Sequence, residues 1–337
     1  CDGTTWLACH VVLPHGGEDG VQALDAAIAG LRHDGCDAAA PNPALRPWQP
    51  VRFATRAGEE VAWRDRVARA LAAIGRPARD GTGLDKVVLA RMLRGLAGEE
   101  RPDPLALLAR LAASQPRSYC FLVEPEPGVA FVGASPERLY RRTPASVTCE
   151  ALAGTRARAG SPEADAALGA ELRRDPKERH EQRLVTDWIR VRLGRLCEAV
   201  TCDDEPSVVE TTTLQHLRTT IRGRPREGVT DAALLDLLHP TPAVCGVPLS
   251  PARRWIEQSE RFDRGLYAGP VGWMSRDASE VAVAIRSALI SGREVRLYAG
   301  AGLVTGSEAE REWRETEGKM RALRALLERG GADGEGR

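Results

Sequence analysis

Two acidic stretches, more than a hundred positions apart, hold the residues best suited to chemistry. One reads Asp175-Pro-Lys-Glu178-Arg-His-Glu181-Gln182. The other reads Ser307-Glu-Ala-Glu-Arg-Glu312-Trp-Arg-Glu315-Thr-Glu-Gly-Lys319. Each sets carboxylates three residues apart, the spacing that puts both on one face of a helix. Four carboxylates meeting in space would suit a hard divalent cation such as Mg²⁺, which takes oxygen ligands and keeps several waters. The alternative is a pair of solvated helix faces. At roughly 100° per residue, Glu181 falls in line with Leu184, Val185 and Trp188, and Glu178 lies at the edge of that stripe. An acid on the apolar side of a helix needs a cation or a strong partner, because an unpaired buried charge is costly. On the second stretch Glu312, Glu315 and Lys319 form a strip bordering the apolar line Trp313, Thr316, Met320, Leu323 and Leu327.

Other segments carry chemistry on their own terms. Arg296-Leu-Tyr-Ala-Gly300-Ala-Gly302-Leu-Val-Thr-Gly306-Ser307 is a strand running into glycines, then a helix that Ser307 is expected to cap. A dinucleotide fingerprint would need a second strand with an acid about 20 residues on, and the chain ends in one helix instead. What survives is close backbone approach to a small anion, or a structural turn. Lys86 opens the apolar run Val87, Val88, Leu89. It either caps a strand edge or is desolvated, which would favour its neutral form and make it a base. Glu137, just after Pro136, is a general acid if buried and a turn carboxylate if not. Arg286 ends the apolar run Val281 to Ile285, where a guanidinium needs an anion: a substrate carboxylate or an internal salt bridge. His216 and His239 read as structural rather than catalytic. No Ser-His-Asp order with a nucleophile elbow is present.

These residues need a framework. Lys86 to Ala90 reads as a buried strand and Pro104 to Ala113 as a helix. Strand-like runs follow at Tyr119 to Val123, Gly128 to Gly133, Glu137 to Arg142 and Ser146 to Leu152. Asp175, Pro176 and Glu178 form an N-cap, a first-turn proline and a capping box for a helix reaching about Glu198. The tail offers strands at Gly269 to Trp273, Val281 to Leu289 and Val295 to Ala299, then the closing helix. Hairpins with long helices, rather than strict βαβ alternation, argue for an α+β fold in a single domain, residues 1 to 337. Residues 1 to about 80 are the least legible, with a short helical pattern at Val67 to Ile74. A chain of 337 residues can bury a sizeable core. Lys+Arg and Asp+Glu each number 47, so no basic excess points to nucleic acid or an anionic membrane. Eight cysteines with no C-x-x-C pair favour reduced thiols in a cytoplasm and give no zinc site. No apolar run is long enough to span a membrane, and no secretory leader is read.

In order along residues 83 to 325 stand Lys86-Val-Val-Leu-Ala-Arg91, Gly133-Ala-Ser-Pro-Glu-Arg-Leu139, Leu152-Ala-Gly-Thr155, Lys177-Glu-Arg-His-Glu181 and Leu214-Gln-His216-Leu. His239-Pro-Thr-Pro-Ala-Val-Cys-Gly246, Arg264-Gly-Leu-Tyr-Ala-Gly-Pro270, Val283-Ala-Ile-Arg286, Tyr298-Ala-Gly-Ala-Gly302 and Glu312-Trp-Arg-Glu315 complete the set. Together they resemble the chorismate-utilising enzymes, most of all the isochorismate synthases. The resemblance implies one domain with β-sandwich-like antiparallel sheets flanked by helices, a monomer, and a Mg²⁺-dependent conversion of chorismate to isochorismate. It implies that Lys86 activates the water and Glu137 protonates the leaving hydroxyl. Glu181 and Glu315 would bind Mg²⁺, with Glu178 and Glu312 holding its waters. Arg286, Tyr267, Lys319 and the backbone of Gly300, Ala301 and Gly302 would hold the pyruvyl side, while Gly154, Thr155 and His216 line the ring. Ammonia-using relatives usually carry Gln at the position of Lys86. Salicylate synthases typically show Thr at that of Ala243, so this chain resembles an enzyme that stops at isochorismate. Salicylate formation with loss of pyruvate is the alternative, and a binding protein without activity the non-enzymatic one.

Overall fold

The computed structural model describes residues 48–75 and 83–331. In chain order it begins with β1 (Arg52–Phe53), α1 (Glu59–Ala73), β2 (Lys86–Leu96), α2 (Pro104–Ser114), β3 (Tyr119–Glu126), β4 (Val129–Ser135), β5 (Arg138–Arg142) and β6 (Val147–Ala157). Then come α3 (Pro162–Arg174), α4 (Pro176–Leu196), β7 (Cys197–Cys202), β8 (Ser207–Glu210), β9 (Leu214–Pro225), α5 (Asp231–Leu238) and β10 (Gly246–Val247). The chain closes with α6 (Leu249–Ser259), β11 (Pro270–Met274), β12 (Ser279–Val283), β13 (Ser287–Ser291), β14 (Glu294–Leu303) and α7 (Ala309–Arg329).

The strands form two seven-stranded antiparallel sheets flanked by helices. The first runs β1-β2-β14-β13-β4-β3, with β10 also on β2; the second runs β11-β12-β5-β6-β9-β7, with β8 also on β9. This is the expected α+β arrangement. The apolar pattern accounts for the layers. Residues of both sheets, among them Phe131, Tyr298, Tyr140 and Val281, share one core with Val185, Ile189 and Leu193 of α4. A second core sets Leu93, Val132 and Leu297 of the first sheet against Leu107 and Leu111 of α2 and Met320, Leu323 and Leu327 of α7. A third joins Trp63 and Val67 of α1 to Leu89, Ala301, Leu303 and Ile256.

The chain passes between the sheets at two neighbouring points. β4 lies in the first sheet and β5 in the second, and Pro136-Glu137 is the step between them. β12 and β13 make the reverse step through Ala284 to Arg286. The pairs match on both sides, Ser287 with Gly133 and Ala282 with Arg138. The expected single strand Val281 to Leu289 is therefore two. Arg286 breaks it with φ 55, a left-handed conformation costly for a residue with a Cβ.

Helix ends hold further corrections. Asp175 caps α4 as expected, accepting from the N–H groups of Lys177 and Glu178. The capping box does not close, because the Glu178 carboxylate accepts from Thr155 N instead, at 3.1 Å. Ser307 does not cap α7: the N-cap is Glu308, and the Ser307 hydroxyl accepts from Val304 N, tightening the preceding turn. The pattern at Val67 to Ile74 belongs to the longer α1. Residues 1–47 of the poorly legible N-terminal part lie outside the described residues. Ile189 sits where α4 meets the second sheet. Ile189→Ala is expected to cost about 2–5 kcal/mol of stability, read as a lower urea midpoint with an unchanged slope.

Candidate active site

The two sheet crossings and residues of β2, β6, β9, β14, α4 and α7 converge on one cleft. Its walls include Glu137, Gly154, Thr155, Glu181, His216, Ala243, Tyr267, Arg286, Gly300, Gly302, Glu315 and Lys319. Lys86, Glu178 and Glu312 are buried immediately behind that wall. Ala301 is the exception among the expected residues. Side chains alternate along β14, so Tyr298, Gly300 and Gly302 face the cleft while the Ala301 methyl joins the core under α1. Sequence reasoning missed Val88, Leu152, Ala153, Val244, Ile285, Tyr298 and Ala299 on the wall. Tyr298 was within reach, two and four residues before the glycines on the same face. It stacks on Tyr267 with ring centroids 5.3 Å apart.

One end of the cleft is cationic. Arg286 Nη2 donates to His216 Nε2 at 3.2 Å, and His216 Nδ1 lies 3.2 Å from both Gly154 O and Thr155 Oγ1. With Nε2 accepting, the ring proton belongs on Nδ1, where it donates to the Gly154 carbonyl. Burial, reinforced by Arg286 and Lys319, holds His216 well below its ordinary pKa, so the ring is neutral. Burial likewise lowers Arg286 to about 10. Its Nη1 is buried with no hydrogen-bond partner among the described residues. A guanidinium with one terminal nitrogen engaged and the other without a partner is a seat for a carboxylate. Glu137, at the neighbouring crossing, is also buried. Desolvation raises it to about 7 against the pull of Lys86, Lys319 and Arg286. A carboxyl poised near neutrality can donate a proton.

The other end is acidic and densely paired. Lys86 Nζ lies 3.0 Å from Glu181 Oε1. Lys177 Nζ stands 3.0 Å from Glu312, 3.4 Å from Glu178 and 3.7 Å from Glu181. Arg311 Nη2 donates to Glu178 at 2.8 Å. Glu315 turns to Lys319, 2.5 Å away, whose ammonium also donates to Gly300 O. Burial would raise Glu181, but Lys86 and Lys177 prevail and lower it. Glu178 and Glu312 move the other way: burial raises both, with neighbouring carboxylates adding to the effect. Glu312 thus lies deeper than the bordering strip expected of it. Lys177, quoted in a motif but given no role, is the main residue that reading overlooked; its i,i+4 spacing to Glu181 was the available signal.

These acids suit a hard cation in chemical type, since their donors are oxygens. Both carboxylate oxygens of Glu312 are buried without a hydrogen bond among the described residues. They are not gathered around a common point. Among the described residues no three His, Cys, Asp or Glu side chains are drawn up as a metal-holding group. The Lys177 ammonium stands between them.

Glycine at 302 is required by this packing. A Cβ there would run into Glu181 Oε1 and approach Lys86 Cε to 3.0 Å. Gly318 in α7 is different, since its Cβ would meet only Leu214 Cδ2 at 3.6 Å. Gly302→Ala is expected to cost about 1–3 kcal/mol by overpacking. Gly318→Ala is expected to gain up to about 1 kcal/mol of helix propensity. Paired denaturant titrations check both signs.

The sequence profile of the family described as chorismate binding enzyme matches residues 2–328. The match takes in the N-terminal part that the motifs did not reach. A chloroplastic isochorismate synthase of Catharanthus roseus is 41% identical over 246 residues, 72% of this chain and 42% of that one. The isochorismate synthase MenF of Bacillus subtilis is 41% identical over 245 residues, 72% of this chain and 51% of that one. The chain thus spans about half the length of these curated relatives. Among solved structures, MenF, the menaquinone-specific isochorismate synthase of Escherichia coli, superposes with a TM-score of 0.77. It is 34% identical and covers 90% of this chain and 69% of its own.

Proposed function

We propose, from the premise that this chain belongs to the chorismate-binding enzyme family, that it is an isochorismate synthase converting chorismate to isochorismate. The observation that carries the reading is the pairing of a buried, near-neutral Glu137 with an orphaned Arg286 donor at adjacent sheet crossings. Similarity to proteins named isochorismate synthase supports the same reaction.

Chorismate carries two carboxylates, one on the ring and one on the enolpyruvyl side chain. Arg286 Nη1 would take the side-chain carboxylate, with Tyr267, Lys319 and the backbone at Gly300 and Gly302 around it. Thr155, Gly154 and neutral His216 would face the ring. In the reaction, water adds at ring carbon 2, the double bonds shift, and the carbon 4 hydroxyl leaves as water. Lys86, ion-paired with Glu181 in the metal-free protein, is the candidate base for the attacking water, a role open to it only as the neutral amine, once Glu181 is turned away from it. Glu137 would give its proton to the departing hydroxyl. Ala243 brings no hydroxyl to the wall, in keeping with an enzyme that stops before pyruvate is lost. Glu181 and Glu315, with Glu178 and Glu312 behind them, are the residues that would hold Mg²⁺, the last two through its waters. The bound ion would supply positive charge opposite the ring carboxylate.

Purified protein given chorismate and Mg²⁺ is expected to yield isochorismate on chromatography, and none with EDTA. Salicylate and pyruvate in its place would move the chain to the lyase branch. Glu315→Gln is expected to abolish Mg²⁺-dependent turnover while leaving the fold intact; full activity in that variant would sink the assignment.

The raised Glu137 sets a pH dependence with a definite sign. Its acid form is the active one, present below about 7 and lost above it. kcat/KM should therefore fall about tenfold per pH unit on the alkaline side. A bound dianion stabilises the acid form further, so the kcat limb should lie at higher pH. Glu137→Gln should lower kcat by about 10²–10⁴-fold and erase that limb. Survival of the limb in the variant would assign it to another group.

A further inference from the structure

Lys177 has no part in the chemistry above, yet its ammonium faces three carboxylates from two helices: Glu178 and Glu181 of α4 and Glu312 of α7. With Lys86 on Glu181, and Arg311 shared between Glu178 and Asp175, which Arg156 also meets, four cations face four carboxylates and the cluster is electrically balanced. Both oxygens of the fully buried Glu312 lack a hydrogen bond among the described residues, so Lys177 meets that acid as a charge without saturating it. We propose that the Lys177 ammonium is a built-in counter-cation, holding this cluster together in the metal-free protein and yielding its place when a divalent cation binds. Its charge then sets how tightly metal is held. The inference rests on the metal-dependent reading above and adds a residue to it.

Charge balance gives the reason. A divalent ion added to a neutral buried cluster leaves two uncompensated charges, which a low-dielectric interior resists. If Lys177 withdraws, the excess falls to one, which a single substrate carboxylate can neutralise. The side chain is built for such a move. It stands on the first turn of α4, one residue beyond Pro176, and carries a point charge on a flexible four-carbon stem, the side chain as a whole being 11% exposed. Without lysine or metal, the buried acids would repel one another and the two helices would lose a link.

Wild type and Lys177→Met, both stripped with EDTA, are compared by thermal unfolding against rising MgCl₂, with no substrate present. Lys177→Met is expected to have a lower Tm in EDTA and to reach half of its Mg²⁺-induced shift at about tenfold lower Mg²⁺ or less. Lys177→Arg, which keeps the charge, should retain the metal-free Tm. Lys177→Met protein that is folded in Mg²⁺ and unfolds on chelation would also support displacement. Half-saturation at the wild-type concentration or above would overturn it. So would a variant unfolded with and without Mg²⁺, because the ammonium would then be needed in both states. If neither protein responds to Mg²⁺, the metal-dependent reading itself falls. If wild type responds and the variant binds no tighter, only the role of Lys177 falls.

Discussion

Buried charge is the constraint around which this structure is arranged. Five carboxylates, those of Glu137, Glu178, Glu181, Glu312 and Glu315, gather at one cleft between two sheets and two helices, four of them buried. Such a group cannot be taken from water unless each member is paired or protonated. The structure uses both solutions. Lys86, Lys177, Arg311 and Lys319 pair the acids near α4 and α7, while Glu137 is held close to its neutral form. Backbone geometry follows from the same need. Gly154 has φ 77, and a Cβ on it would come within 3.1 Å of the Glu178 carboxylate; Gly302 makes room for Glu181 and Lys86. Asp175 holds the start of α4 so that the Glu178 carboxylate is free to turn inward to Thr155.

The second organising feature is the paired crossing between sheets. A strand that leaves one sheet for another interrupts its ladder, and the residues at the step have side chains belonging to neither face. Glu137 and Arg286 occupy these steps in adjacent, mutually paired segments. Their separation is therefore fixed by the registers on both sides rather than by a loop. The left-handed Arg286 is a local cost that the flanking ladders impose. It turns the guanidinium toward His216, leaving the other nitrogen unsatisfied in the cleft.

Much of this was legible in the sequence, and the failures share a physical origin. Periodicity located most strands of the first sheet and both acidic helices but left β7, β8 and β9 of the second sheet unread, while capping chemistry fixed the start of α4 because that signal is local. The run Val281 to Leu289 read as one strand because nothing local distinguishes a buried strand from two that change sheets midway. Ala301 was read for its backbone, and the strand's period of two sends only its methyl away from the cleft, into the core under α1. Glu312 read as a border residue because helical angles set a direction, whereas depth depends on what packs against the helix. Lys177 escaped notice because lysines in a first turn are ordinarily solvated. Only the approach of α7 to α4 shows that this one lies among acids from both.

The cleft is thus polarised before any ligand enters. At one end an orphaned guanidinium donor, a neutral imidazole and a near-neutral carboxyl await negative charge. At the other, carboxylates are already matched by ammonium groups. A ligand with one carboxylate would be drawn to the Arg286 end alone, and its remainder would be free to turn. In the proposed reaction the substrate has two, and the second must lie against a region whose own side chains are acids. That end can welcome a carboxylate only after gaining positive charge. Metal and dianion therefore reinforce each other's binding as a matter of charge balance. The orientation of the ring, and with it the positions of carbons 2 and 4 between Lys86 and Glu137, would follow from satisfying both ends at once.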